Sequence, residues 1–354
     1  MKPLITLLQN LILSRKGKPF SSGFTLLELL IATVMSSIVI SSLLYFMIDI
    51  VRTNAAETAR KDTLQDMRQA LEFITDDLKE ATYVYTGDQL EDRDINADAN
   101  DGILDILDID DELKPILVFW KLEDVPYTEG DSLPDDCSAE EVQANEQVCE
   151  ELLISQRTYT LVAYVQDNNP SDKWGGESII RRYQLRKYFN SDTKPFNTLE
   201  QRPGYIDPVK ESSFANWPYD DGNLPSDYTN PTIDRSHTKN PPLVDFVDFP
   251  DENEDEDDDD DDFLREDVSC LDGYNRTPQD QAEDETDPSR SSSFYACVEE
   301  ADTEDEDDIA IPANNATVIV NLRGNPDGRV SFDLSDSTPL PTLNSSVVLR
   351  GSNR

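Results

Sequence analysis

A chain of 354 residues with 74 acids, 30 bases and a formal charge of −44 is long enough for a folded domain with insertions. Nucleic acid and anionic membrane surfaces would both repel it, so neither is expected as a partner. The acidity instead suits solubility, a cation-rich exterior and, as the one candidate cofactor, bound Ca²⁺.

Residues 1–23 carry Lys2, Arg15, Lys16 and Lys18 and no acid. The apolar segment at 4–13 is too short to span a bilayer, and no small-x-small cleavage site follows it. Positive charge ahead of the next segment keeps residues 1–23 in the cytoplasm and sends the chain after Ile48 outward. That next segment, Phe24 to Ile48, is 25 residues long and contains one acid, Glu28, and no base. About 20 apolar residues span a bilayer as a helix. A carboxylate inside such a span is expensive and calls for a partner. A cut after Gly23 would supply one, because the new α-amine of Phe24 would lie at the same membrane depth, on the same chain or on a packed neighbour.

The run Ser22-Gly23-Phe24-Thr25-Leu26-Leu27-Glu28, followed by the apolar span, resembles the type IV prepilin signal of pilins and type II secretion pseudopilins. The resemblance implies a membrane peptidase/methyltransferase that cuts between Gly23 and Phe24 and N-methylates Phe24. It also implies that Glu28 is the assembly residue. The family usually has a base just before the glycine, where this chain has Ser21 and Ser22. Other pilins or pseudopilins, the membrane and an inner-membrane assembly platform are the implied partners. The implied location is a single pass through the plasma membrane, with the C-terminal domain periplasmic or extracellular. The alternative is a plain signal anchor in which Glu28 is accidental.

The sequence stays helical in character to residue 85, with no Pro or Gly between Phe24 and Tyr85. Leu64, Met67, Leu71, Ile74, Leu78 and Ala81 form one apolar stripe at helical spacing. A helix from Phe24 to about Val84 would be on the order of 90 Å long. The stripe is too short for a coiled coil and is expected to pack on a sheet. The run from Met67 to Ala81 also resembles minor pilins of the J and W types.

Residues 88–112 form an acidic loop in which Asp94, Asn96, Asp98 and Asn100 alternate before Asp101, Gly102 and Asp105. Alternating oxygen ligands with a glycine for the turn are what a calcium loop requires. The glycine is displaced from the EF-hand position, so a calcium loop and a solvated acidic turn both stay open. Strand candidates follow at 115–122, 158–166 and 179–189, the last two joined by a polar turn as a hairpin. Arg181, Arg182, Arg186 and Lys187 make the last a basic strand, and salt bridges within the protein or between subunits are the expected use of it.

Residues 190–310 are rich in Pro, Asn, Asp and Ser, with acidic runs at 251–262 and 302–308, and read as a low-complexity insertion. Residues 317–322 and 330–334 read as a hairpin, and 345–350 as a last strand that closes the sheet. Four cysteines, Cys137, Cys149, Cys270 and Cys297, all follow the span and suit disulfides in an exported domain; local pairs close the shortest loops.

The expected fold is therefore α+β and type IV pilin-like: a long N-terminal helix, transmembrane in its first half, packed on an antiparallel sheet. The expected segments are 1–23 leader, 24–48 transmembrane and assembly helix, 49–85 amphipathic helix, 86–189 sheet domain, 190–310 insertion and 311–354 closing strands. The lone histidine, His237, and the absence of a phosphate loop or dinucleotide fingerprint argue against an enzyme. The expected function is a minor pilin or pseudopilin in a pilus-like or type II secretion-like fibre. Large acidic pseudopilins of filamentous cyanobacteria, in a system that exports polysaccharide for gliding, have a similar general look. The second function class is a calcium-dependent surface-binding module, or adhesin, displayed through a prepilin signal.

Overall fold

A computed structural model of the chain describes residues 25–91, 93, 95, 102–107, 113–168, 173–191, 193–220, 222–226, 228–231, 241–249, 270–278, 293–301, 311–332 and 340–349. The chain divides into two compact units, Met1–Ala55 and Ala56–Arg354. Helix α1 (Leu26–Lys79) is continuous through 54 residues, as the absence of Pro and Gly allows. In the first unit it is the whole of the described structure.

The second unit is α+β, as the sequence indicates, but holds two antiparallel sheets. The first runs in the order β1 (Ala81–Val84), β2 (Leu113–Asp124), β3 (Arg157–Asp167), β4 (Ser178–Leu185), β5 (Val244–Val247). The second runs β6 (Tyr274–Thr277), β7 (Phe294–Glu299), β8 (Thr317–Arg323), β9 (Thr342–Val348). Short helices α2 (Gly87–Glu91) and α3 (Ile103–Leu107) follow β1, and α4 (Glu146–Ser155) precedes β3. The stripe of α1 lies over both sheets. Met67, Ala70, Leu71, Ile74 and Leu78 share one core with Phe119, Val162 and Ile180 of the first sheet and Phe294, Val318, Val320 and Leu322 of the second.

Four expectations change. The helix stops at Lys79, because Ala81-Thr82-Tyr83-Val84 is β-branched and aromatic and pairs with β2 through Ala81–Lys121 and Val84–Phe119. The C-terminal strands build the second sheet rather than closing the first, since β8 is flanked by β7 and β9. Residues 190–310, read as an insertion, supply β5 to one sheet and β6 and β7 to the other. Nor is 330–334 the partner of β8. Residues 329–332 bend away from it, because Arg329 bonds Asp66 on α1 and its guanidinium stacks 4.0 Å from the Phe246 ring. Thr342–Val348 takes the vacant place in unbroken register.

The aromatic residues scattered after 190 have a clear use. Tyr205, Trp217 and Tyr219 are buried with Trp120, Ala163, Val165, Tyr183 and Leu185 on the face of the first sheet opposite α1. Trp217 Nε1–H donates to the Ile206 carbonyl at 2.9 Å, and its ring meets Trp120 edge-on. This explains why β2 is apolar nearly throughout: Ile116 to Trp120 is buried on both faces. Cys137 is bridged to Cys149 on α4, and Cys270 to Cys297 on β7.

The two sheets meet at Gly324, which bridges Val247 of β5 and lies against α1. A β-carbon there would sit 2.5 Å from Met67 Sδ and 2.7 Å from Thr63 Cγ2. Gly324→Ala is therefore expected to lower unfolding stability by about 1–3 kcal/mol through overpacking, read from urea denaturation. An unchanged midpoint would show that the helix gives way freely.

Candidate functional site

The first unit presents an apolar helix that the chain itself does not cover. From Leu26 to Val51 every large apolar side chain is more than 40 % exposed, Leu26 reaching 84 %. The helix is long and apolar enough to cross a membrane. Burying such side chains is worth about 1.5–3 kcal/mol each, so the segment is strongly driven to find lipid or other apolar helices. Its polar groups are adapted to that setting. The hydroxyls of Thr33 and Ser37 each donate to the carbonyl three residues back, at 2.8 Å. Backbone and hydroxyl are thus satisfied within the helix, as a bilayer requires.

Glu28 is the exception. The Glu28 N–H donates to Thr25 Oγ1 at 3.2 Å, and the Leu29 N–H to the Thr25 carbonyl at 3.1 Å. Thr25 is therefore the N-cap and Glu28 the third helical residue, the spacing of a capping box. A carboxylate in the first turn also faces the positive end of the helix dipole. Its side chain is exposed, with no ion-pair partner among the described residues. Gly23 and Phe24 lie outside those residues.

At the other end of α1, a buried cluster ties the helix to the first sheet. Asp77 Oδ1 accepts from Lys121 Nζ of β2 at 2.7 Å. Asp77 Oδ2 accepts from Arg182 Nε of β4 at 2.7 Å and from the Tyr164 hydroxyl of β3 at 2.8 Å. Burial pushes the Asp77 carboxyl up, but the hydrogen bonds and charges of Arg182 and Lys121 outweigh it and hold the group below 3.8. Lys121 and Arg182 are raised against burial by the same contacts, and burial together with the Asp77 charge raises the Tyr164 hydroxyl. The rest of the basic strand is likewise paired inside the chain: Arg181 with Asp167, Arg186 with Glu123 and Lys187 with Asp207.

Two of these features escape a reading of patterns. Thr25 as N-cap is visible only as the Thr-x-x-Glu spacing. Asp77 is a lone acid beside Ile74 and Leu78 on the buried side of the helix, and its cations are far off in sequence. Of the proposed calcium ligands, Asp94, Asn96, Asp98, Asn100 and Asp101 lie outside the described residues, as does His237; Asp105 lies on α3, with its side chain outside them. Among the described residues no group of three or more His, Cys, Asp or Glu could hold a metal ion.

Residues 19–44 match the family model of the prokaryotic N-terminal methylation motif. No curated protein and no solved structure matches the chain. The matched segment holds the Gly23-Phe24 junction, the capped helix start and Glu28. With the long apolar helix and the antiparallel sheets after it, the motif supports a type IV pilin-like protein.

Proposed function

We propose that the chain is a minor pilin or pseudopilin of a type IV pilus-like or type II secretion-like fibre. The prepilin peptidase cuts between Gly23 and Phe24 and methylates the new amine. The mature helix is stored in the inner membrane and then moves into the fibre, with the folded domain outside the cytoplasm. In the fibre the Glu28 carboxylate neutralises the Phe24 amine of a neighbouring subunit and sets the register. Carrying this reading is a helix uncovered from Leu26 to Val51 whose apolar part, as far as Ile48, holds a single acid in its first turn. Lipid covers the apolar surface but offers the carboxylate nothing; a packed neighbour covers both. Two disulfides in the folded part suit an oxidising compartment. The finer assignment, a fibre that serves polysaccharide export and gliding, rests on the large acidic domain alone.

Intact-mass and N-terminal sequencing of the membrane-extracted protein tests this directly. The expected product begins at a methylated Phe24, and deletion of the peptidase leaves residues 1–23 attached. A chain still beginning at Met1 in cells with an active peptidase would rule the pathway out.

A further inference from the structure

The outer sheet edges differ in how they are protected. β1 is four residues long with a register shift, and both short strands and irregular pairing discourage further strand addition. β5 is bridged to Gly324, and the Asn325 N–H donates to the Phe246 carbonyl at 2.9 Å. β6 is short and lies against α2, whose Gly87 N–H donates to Asn275 Oδ1 at 2.7 Å. β9 has none of these devices. It pairs with β8 over seven consecutive residues without a bulge, and no described strand lies on its other side. Thr342-Leu343-Asn344-Ser345-Ser346-Val347-Val348 contains no charge and no proline, in a chain that is 29 % charged. Thr342, Asn344, Ser346 and Val348 are exposed. A groove of 380 Å³ runs between this strand and α1, lined by Leu71, Thr75, Leu343 and Ser345 with Arg68 and Glu72.

We infer that the outer edge of β9 docks an extended strand from a different and less acidic subunit of the fibre, an inference that rests on the assembly reading above. The unpaired N–H and C=O groups of a strand edge are matched by another extended backbone and by little else, which fixes the occupant as polypeptide in β conformation. Charge decides which polypeptide. Two copies of a chain with formal charge −44 repel wherever they approach within about a Debye length, roughly 8 Å at physiological ionic strength. A neutral or basic partner meets no such barrier, and the charge-free edge presents it with no carboxylate to desolvate. The same repulsion limits how many copies one fibre can place side by side, in keeping with a minor subunit.

Photo-crosslinking of the full chain in its native membrane tests this, with benzoylphenylalanine placed in separate variants at Ser346, at exposed Ile154 on α4, and at Leu30 in the apolar helix. The expected result is a Ser346 adduct, at least tenfold above the Ile154 background, with a different methylation-motif subunit, mapped to a strand of that subunit. Ser346→Glu is expected to cut an adduct formed from Asn344 by a similar factor while leaving the Leu30 adducts unchanged. A Ser346 adduct only with another copy of this chain overturns the choice of partner. Background yield at Ser346 with intact Leu30 adducts overturns the edge proposal and leaves the assembly reading standing. Loss of adducts at both positions removes both.

Discussion

Asp77→Ala is expected to destabilise the folded domain by about 3 kcal/mol, the cost of leaving Arg182 without its carboxylate and Lys121 with only the exposed Glu80 at 3.0 Å. Lys121, Arg182 and Tyr164 all converge on that one side chain, from three adjacent strands. With Asp77 gone, two charges and a hydroxyl remain at the seam between α1 and the sheet with little water to replace it. Such a loss is a large fraction of ordinary domain stability, so the variant should unfold at much lower urea. The neighbouring Asp76→Ala is the control, because Asp76 is exposed and bonds only the equally exposed Lys79; it should be close to neutral. The pH dependence has a definite sign. The folded Asp77 carboxyl titrates below its ordinary value, so the folded state binds fewer protons than the unfolded one. Its contribution is complete above about pH 5 and disappears as pH falls through the depressed folded value. Asp248 acts in the opposite sense, since burial raises its carboxyl in spite of Arg323. The comparison of wild type with Asp77→Asn isolates the Asp77 part. Urea midpoints from about pH 6 to pH 3 should fall less steeply in the variant. Parallel curves would mean that the fold does not lower the Asp77 carboxyl, and a steeper fall in the variant that the carboxyl is neutral in the fold.

The second large effect concerns assembly and rests on the proposed fibre. Glu28→Ala should be cut and methylated normally but recovered in sheared fibres at no more than about one hundredth of wild type. That factor corresponds to about 3 kcal/mol for an unpaired amine in an apolar helix bundle. Glu28→Gln separates two roles of the residue. Glutamine serves a capping box as well as glutamate, but it cannot neutralise an amine. If the charge matters, Glu28→Gln fails like alanine; if the cap matters, it assembles like wild type and Thr25→Val becomes the defective variant. Removal of the Thr25 cap alone should cost about 1 kcal/mol of helix start and little assembly. Full assembly of Glu28→Ala would end the charge-pairing mechanism. It would leave apolar packing of the helices as what holds the fibre together.

The parts of the fold legible in the sequence are those whose cause is local. The apolar span and its single acid fall within a few turns of one helix. The stripe through Met67, Leu71, Ile74 and Leu78 follows from 3.6-residue periodicity, and those residues face the core. Strands β2, β3 and β8 are short β-branched or aromatic runs, each found where the pattern puts it. Less was visible where polar sequence hides a packed layer. Residues 199–219 have no periodicity because they cover a sheet with isolated aromatic anchors, Tyr205, Trp217 and Tyr219, rather than with a helix or strand of their own.

Which distant segments meet is a matter of packing across the whole fold. Asp77 and Arg182 are 105 residues apart, and nothing in the neighbourhood of either names the other. The choice of two sheets over one depended on β7 lying beside β8 and on Arg329 drawing the chain toward Asp66 and Phe246, which left β9 to complete the second sheet. A residue's periodicity reports which side of its own element is apolar. The partner that covers that side is selected by competition among all non-local pairings, and only the folded chain carries the outcome. The residues alone are enough for a membrane-seeking helix with Glu28 as the one acid of its span and for the α+β class of the domain beyond it. The Asp77 clamp between the last turns of α1 and the first sheet, and the edge of β9 with no described strand beside it, belong to the tertiary structure.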